Sequence, residues 1–324
     1  MEELIFCLNA TMPVFLLMIL GYVFRKIGII DLEFADKMNR FVFLALLPAL
    51  LFKELSLSDF SAIWDLKYLL FCFFTTFLSI LIMCISSIFL KDRSIRGEFI
   101  QASFRSSAAL LAYAFVQNVY GEAKIVALMV IGAVPLYNVA SVVILMLLRP
   151  KQGKLNRVVL KNTLKGVIKN PLILGILAGM IWAMLKIPQP VIMKKSISTF
   201  AAAATPLGLL ALGASFDVKE VFSKIKVVLV SSSFKLIILT AIFLPIAVKM
   251  GFKDEKLVAV LGMLGSPTTP TSFTMARGMG HNGSVTSGTV MVTTIMSIFT
   301  LTSWLYILKI CLLYTSPSPR DRQK

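Results

Sequence analysis

The chain has 324 residues, 57% hydrophobic and 15% charged, with a mean hydropathy of +0.85 and a formal net charge of +17. A soluble domain of this length carries about a quarter charged residues, so the composition excludes an ordinary globular protein and points to lipid as the solvent. The basic residues lie between apolar runs without interleaved aromatics or a nucleic-acid motif, which excludes nucleic acid as a partner and makes membrane lipid the expected one.

Apolar runs of about 20 residues span a bilayer as helices, because a helix satisfies its own backbone groups in hydrocarbon. Ten are expected, over 4–24, 38–55, 67–90, 99–120, 124–148, 171–187, 191–214, 227–250, 257–280 and 285–313. The first opens on Glu2 and Glu3 and runs too long for a cleaved leader. The second (FVFLALLPALLF) contains Pro48, which removes a backbone hydrogen bond and kinks the helix. The fourth carries Arg105, Ser106 and Ser107. A charge inside a span costs several kcal/mol unless it meets water or a partner; Arg105 either attracts an anion or snorkels to headgroups. In the fifth, GAVPLYNVAS sets Pro135, Tyr137 and Asn138 among apolar residues, and an Asn in such a place commonly bonds a neighbouring helix.

The basic stretch 149–170 reads as a cytoplasmic linker, either a short amphipathic helix on the inner leaflet or a solvated connection. It divides the chain into halves, 1–148 and 171–313, of five spans each. An odd number of spans inverts the second half relative to the first. Pro206 in the seventh span (FAAAATPLGLLALG) echoes Pro48. In the eighth, Lys235 follows Ser231, Ser232 and Ser233; it either reaches a cavity or bonds the carbonyl end of a broken helix. The ninth holds Gly265, Ser266, Pro267, Thr268, Thr269, Pro270, Thr271 and Ser272 at its centre. Two prolines three apart unwind the span there, and the helix N-terminus so exposed suits a carboxylate. The tail 314–324 turns abruptly polar and reads as disordered or non-native.

The odd-to-even connections, with the turns adjoining them, hold 18 Lys and Arg against 9 on the other side, which puts both termini outside. Acidic residues, Glu54, Glu98, Glu122 and Asp217 among them, fall in loops or near span ends, and His281 in a loop. Cys7, Cys72, Cys84 and Cys311 lie in apolar runs as packing residues, so no disulfide, metal site or cofactor is expected.

FVFLALLPALLF, FRSS…VYGE, PLGLLALG and SPTTPTSFTMARGMG…TSGTVMVTTIMSIFTLTSWLYILK, in this order along the chain, resemble the auxin efflux carrier family, in its bacterial malate/malonate-type branch. The resemblance covers residues 1–310. It implies two inverted five-helix repeats, a scaffold and a transport domain, fourth and ninth helices broken and crossing beside the substrate, and elevator-like alternating access. It further implies a small carboxylate as substrate, auxin in plant members and malate or malonate in some bacterial ones, and a homodimer by analogy. Pro267 matches the crossover proline of the ninth helix and Ser107 the place of a site-lining asparagine. Ala114 and Ala112 stand where the fourth helix has a crossover proline and a nearby glycine, and Pro270 is additional.

The expectation is an all-α integral membrane protein of the plasma (inner) membrane, not an enzyme but a secondary transporter of small organic anions. Its candidate site is Arg105, Ser106, Ser107, Asn138, Lys235, Pro267, Thr268, Thr269, Pro270, Thr271 and Ser272. A sodium-coupled organic-anion symporter of another inverted-repeat family and a non-transporting receptor are the alternatives. A membrane enzyme would need paired acids, a Ser/His set or a metal set within the spans, and one terminal histidine leaves it little room.

Overall fold

The computed structural model describes residues 2–56, 65–120, 124–150 and 166–310. Most of the expected linker and all of the polar tail, with Glu122 and Cys311, lie outside the described residues. Within them the chain is helical, with no strand.

Helix α1 spans Glu2–Lys26. A second passage begins at α2 (Leu32–Phe41), six residues before the expected span, because the Asp31 carboxylate caps it, accepting from Phe34 N at 2.6 Å. The segment LEFADKMNRF buries Ala35, Met38 and Asn39 along one face, so its charged residues do not exclude it from the helix. A π turn, Val42–Leu46, leads into α3 (Leu47–Ser56) immediately before Pro48. Proline lacks the N–H that a regular turn would use, and the wider turn absorbs the mismatch.

Helix α4 (Leu66–Ser86) starts on Asp65, whose carboxylate accepts from Tyr68 N at 3.0 Å. The next passage is broken into α5 (Arg96–Phe104) and α6 (Ala108–Tyr120). The break falls at 105–107, not near Ala112 and Ala114, where the resemblance puts the crossover; both of those are helical. Helix α7 (Lys124–Leu147) closes the first half.

The second half comprises α8 (Pro171–Met184), α9 (Val191–Ala202), α10 (Ala204–Ser215), the short α11 (Val218–Ser223), and α12 (Ile225–Ser233). A π turn at Phe234–Ile238 joins α12 to α13 (Leu239–Lys249). Then come α14 (Asp254–Gly265), α15 (Thr271–Gly278) and α16 (Ser284–Ile310). Among the described residues, five stretches are long and apolar enough to cross a membrane: Leu66–Phe89, Ile125–Leu147, Val191–Ser215, Ile225–Lys249 and Ser284–Lys309. Leu70, Phe74, Phe77, Leu81 and Ile85, at helical spacing along α4, all face outward. That is the apolar exterior lipid requires.

The helices pack in two groups. In one, α1 crosses α10 and α3 crosses α8, with α2 and α9 alongside. Both crossings use glycine to bring backbones together. A Cβ on Gly175 would lie 2.6 Å from the Pro48 carbonyl oxygen, and one on Gly213 would meet that of Met18. In the other group α4 packs on α7, α12 on α16, and α6 on α14, with α5 and α13 between. Its core includes Tyr68, Met129, Phe243, Leu257 and Leu301. The groups meet where α1 packs on α16 and where α15 touches α2, α10 and α16.

Candidate functional site

The two interruptions meet. Helix α5 ends at Phe104, after which Arg105 is extended, and α14 ends at Gly265 with Ser266 extended. An interrupted helix inside a membrane protein must have its freed backbone groups satisfied by other protein atoms, and here each break serves the other. Ser107 N donates to the Pro267 carbonyl at 3.0 Å. The Thr268 hydroxyl donates to the Ala102 carbonyl, in the last turn of α5, at 2.7 Å. Thr268 N donates to Thr293 Oγ1 of α16 at 3.0 Å, and the Ser106 and Ser266 hydroxyls are bonded to one another. Pro267, with no N–H of its own, leaves no donor in need of an acceptor at the crossing point.

Beside the crossing lies a cavity of about 60 Å³, bounded by both groups of helices. Arg105, Ser106, Ser107, Asn138, Thr269 and Thr271 line it, together with Glu54, Tyr137, Thr205 and Met275. Leu47, Leu50, Leu51 and Leu172 supply an apolar wall. Arg105 is 4% exposed, so it does not snorkel to a headgroup. Its guanidinium donates to Asn138 Oδ1 at 2.7 Å and Thr271 Oγ1 at 3.0 Å, and it lies 5.5 Å from the centre of the Tyr137 ring. The Asn138 amide nitrogen is committed to the Val134 carbonyl at 3.0 Å, which turns its oxygen toward Arg105. Arg105 Nε is buried with no partner. The cation is thus hydrogen-bonded to neutral groups, shares its cavity with the Glu54 carboxyl, and keeps a donor in reserve.

The other sequence candidates lie elsewhere. Pro267 and Thr268 build the crossing without lining the cavity, and Pro270 precedes the first turn of α15. Ser272 is fully buried, its hydroxyl unpartnered and away from the cavity. Lys235 does not line it and donates instead to the Leu264 carbonyl at the end of α14.

Three residues take places that the sequence does not reveal. Glu54, near a span end, faces the cavity from α3, on the wall opposite the breaks. Glu98 is 1% exposed and caps the start of α16, accepting from Gly283 N at 2.8 Å, Val285 N at 3.0 Å and Thr286 N at 3.2 Å. His281 is in the α15–α16 connection as expected, yet buried, with Nε2 2.8 Å from the Leu145 carbonyl. Burial holds its pKa below the usual 6.5. For Thr205 the signal was available, a hydroxyl just before the Pro206 echo of Pro48, and for Tyr137 it was the polar neighbour of Asn138.

The family model described as membrane transport protein matches residues 6–305. The chain belongs to this family, the auxin efflux carriers. A Rhizobium meliloti (strain 1021) protein named "Putative malonate transporter" is 23% identical over 312 residues, covering 92% of this chain and 94% of that protein. As an auxin efflux carrier family member the chain is a multi-pass membrane transport protein, and its helical build with outward apolar faces agrees. The family setting gives the crossed breaks a context: polar, interrupted backbone at depth is tolerated where it is buried in protein or lines a cavity.

Proposed function

We propose that this auxin efflux carrier family member is a secondary transporter of small organic anions, dicarboxylates such as malonate being the first candidates. The observation that carries this reading is Arg105, a cation buried beside the crossed breaks and hydrogen-bonded to the neutral Asn138 and Thr271. A carboxylate entering the cavity would replace the Thr271 hydroxyl or meet the free Nε, and Ser106, Ser107 and Thr269 would donate to it. The N-terminal ends of α6 and α15 add favourable partial charge. The name of the Rhizobium meliloti relative points to the same substrate class.

Two inverted repeats belong to this reading. They are supported by the pairing of passages: the first of each half packs on the second of the other, as α1 on α10 and α8 on α3. The third packs on the fifth in both halves, as α4 on α7 and α12 on α16. The group containing both breaks would move as a body against α1–α3 and α8–α10, exposing the cavity alternately to each side. With both termini outside, the basic connections face the cytoplasm of a cell whose plasma membrane holds the protein.

The test is uptake of radiolabelled malonate, malate and indole-3-acetate by proteoliposomes. Wild-type flux of at least one carboxylate is expected, reduced by about a hundredfold in Arg105→Gln, the scale set by losing charge-assisted hydrogen bonds. Folded wild-type protein that moves none of a panel of carboxylates would overturn the anion reading.

A further inference from the structure

Lys235 is a buried cation for which the cavity has no use. It lies in the π turn Phe234–Ile238, 1% exposed. Its ammonium donates to the carbonyl oxygen of Leu264, in the last turn of α14. The C-terminal end of a helix carries unpaired carbonyls and partial negative charge. This end is sealed in protein, since Leu264 and Ser266 are 5% and 0% exposed. Thr240 follows Lys235 by five residues, one wide turn on. Its hydroxyl is buried without a partner, and a Cβ placed on Gly265 would lie 3.6 Å from it. The Leu264 carbonyl, bonded to the ammonium, and the unpartnered Thr240 hydroxyl thus both flank the end of α14, and the charge buried there is the ammonium. In carriers with interrupted helices, C-terminal half-helix ends of this kind are where a coupling cation is coordinated.

We propose that the Lys235 ammonium is a built-in substitute for a small monovalent cation at the carbonyl end of α14. The tethered charge neutralises the half-helix end permanently, so the carrier needs no cotransported sodium, and removing the side chain opens a site that a free cation can fill. The flux half of this inference rests on the transporter reading, whereas the binding half needs no substrate.

The binding half is tested on purified protein in detergent by thermal unfolding in choline, sodium or methylammonium chloride. Wild type should have the same Tm in all three. Lys235→Ala, purified in methylammonium, should lose Tm in choline and recover it in sodium or methylammonium. Lys235→Met, whose longer apolar side chain refills the space, should stay low in every salt. In proteoliposomes wild-type flux should be the same in sodium and choline. Flux through Lys235→Ala should fall by at least about tenfold in choline, the scale of one charge-assisted hydrogen bond, and return with the added cation. A wild-type Tm raised by sodium, or a Lys235→Ala protein indifferent to all three cations, would overturn the proposal. So would failure of Lys235→Ala to fold even in methylammonium. If no carboxylate is transported but the Tm pattern appears, the cation site stands and the substrate assignment falls.

Discussion

Arg105 engages both arms of its fork, Nη2 donating to Asn138 Oδ1 and Thr271 Oγ1 and Nη1 to the Met275 sulfur. A guanidinium does this with a rigid planar fork; an ammonium is a point charge on a flexible stem. Arg105→Lys should therefore keep a cation in the cavity yet lose the geometry, raising the KM for malonate roughly tenfold while flux at saturation changes less. Equal losses in kcat and kcat/KM would instead place Arg105 in the conformational step. Glu54 leads to the opposite sign. It shares the small cavity with Arg105, where its carboxylate would repel an anionic substrate by on the order of 1–3 kcal/mol at an intermediate effective dielectric. Glu54→Gln should strengthen binding of a dicarboxylate dianion about tenfold, and that of a monocarboxylate less, as read by calorimetry at neutral pH. Weaker binding in Glu54→Gln would mean that the carboxylate positions Arg105. The two residues also differ in legibility. Arg105 stands out as a charge within an apolar run, whereas Glu54 is close enough to a span end to pass for a loop-facing acid. Only the crossing of α3 over α8 turns it inward.

Among the elements, the ninth passage could be read in the sequence and the fourth could not. Pro267 and Pro270 break a helix wherever they sit. No proline or glycine marks 105–107, and the break there is made by long-range partners: Ser107 N on the Pro267 carbonyl, and the Thr268 hydroxyl on the Ala102 carbonyl. The sequence separation of these contacts hides them from any local pattern. The resemblance to the family placed the crossover at Ala112–Ala114, but Ala112 instead packs within α6 against Gly262 of α14. The early start of α2 has the same lesson at shorter range, since its charged residues disguise a helix whose buried stripe is Ala35, Met38 and Asn39. If the breaks sustain each other, Thr268→Val should destabilise both. A buried carbonyl left unpaired costs about 1–3 kcal/mol, so Tm should fall by several degrees, and Thr268→Ser should restore it. Equal Tm in wild type and Thr268→Val would show that Ala102 finds another donor.

For the molecule as a whole, the all-helical build with outward apolar faces was open to reading, because each apolar run is decided by its own residues. Which runs would pair was not, because pairing depends on glycines such as Gly21 and Gly213 meeting backbone far along the chain. The two groups of helices that result are tied at one end by Arg277 of α15, ion-paired with Asp36 of α2. Arg277 also donates to the Asn282 carbonyl at 3.2 Å. Here a cavity of about 610 Å³ opens, lined by Asp36, Asn39, Arg40, Arg277 and His281, and reaching Phe43 and Leu44, one turn along the same passage from Leu47 of the inner cavity. If α15 travels with the breaks while α2 stays with α1 and α10, these two residues must separate in every cycle. A cysteine pair, Asp36→Cys with Arg277→Cys in a background lacking Cys7, Cys72, Cys84 and Cys311, should support flux while unlinked. A short bifunctional maleimide should then arrest it, and a longer linker should restore part of the rate by allowing more travel. Each single cysteine variant treated with the same reagents should keep its flux. Full flux through the short-linked pair would mean that α15 and α2 keep their spacing throughout transport, and the moving boundary would then have to lie elsewhere.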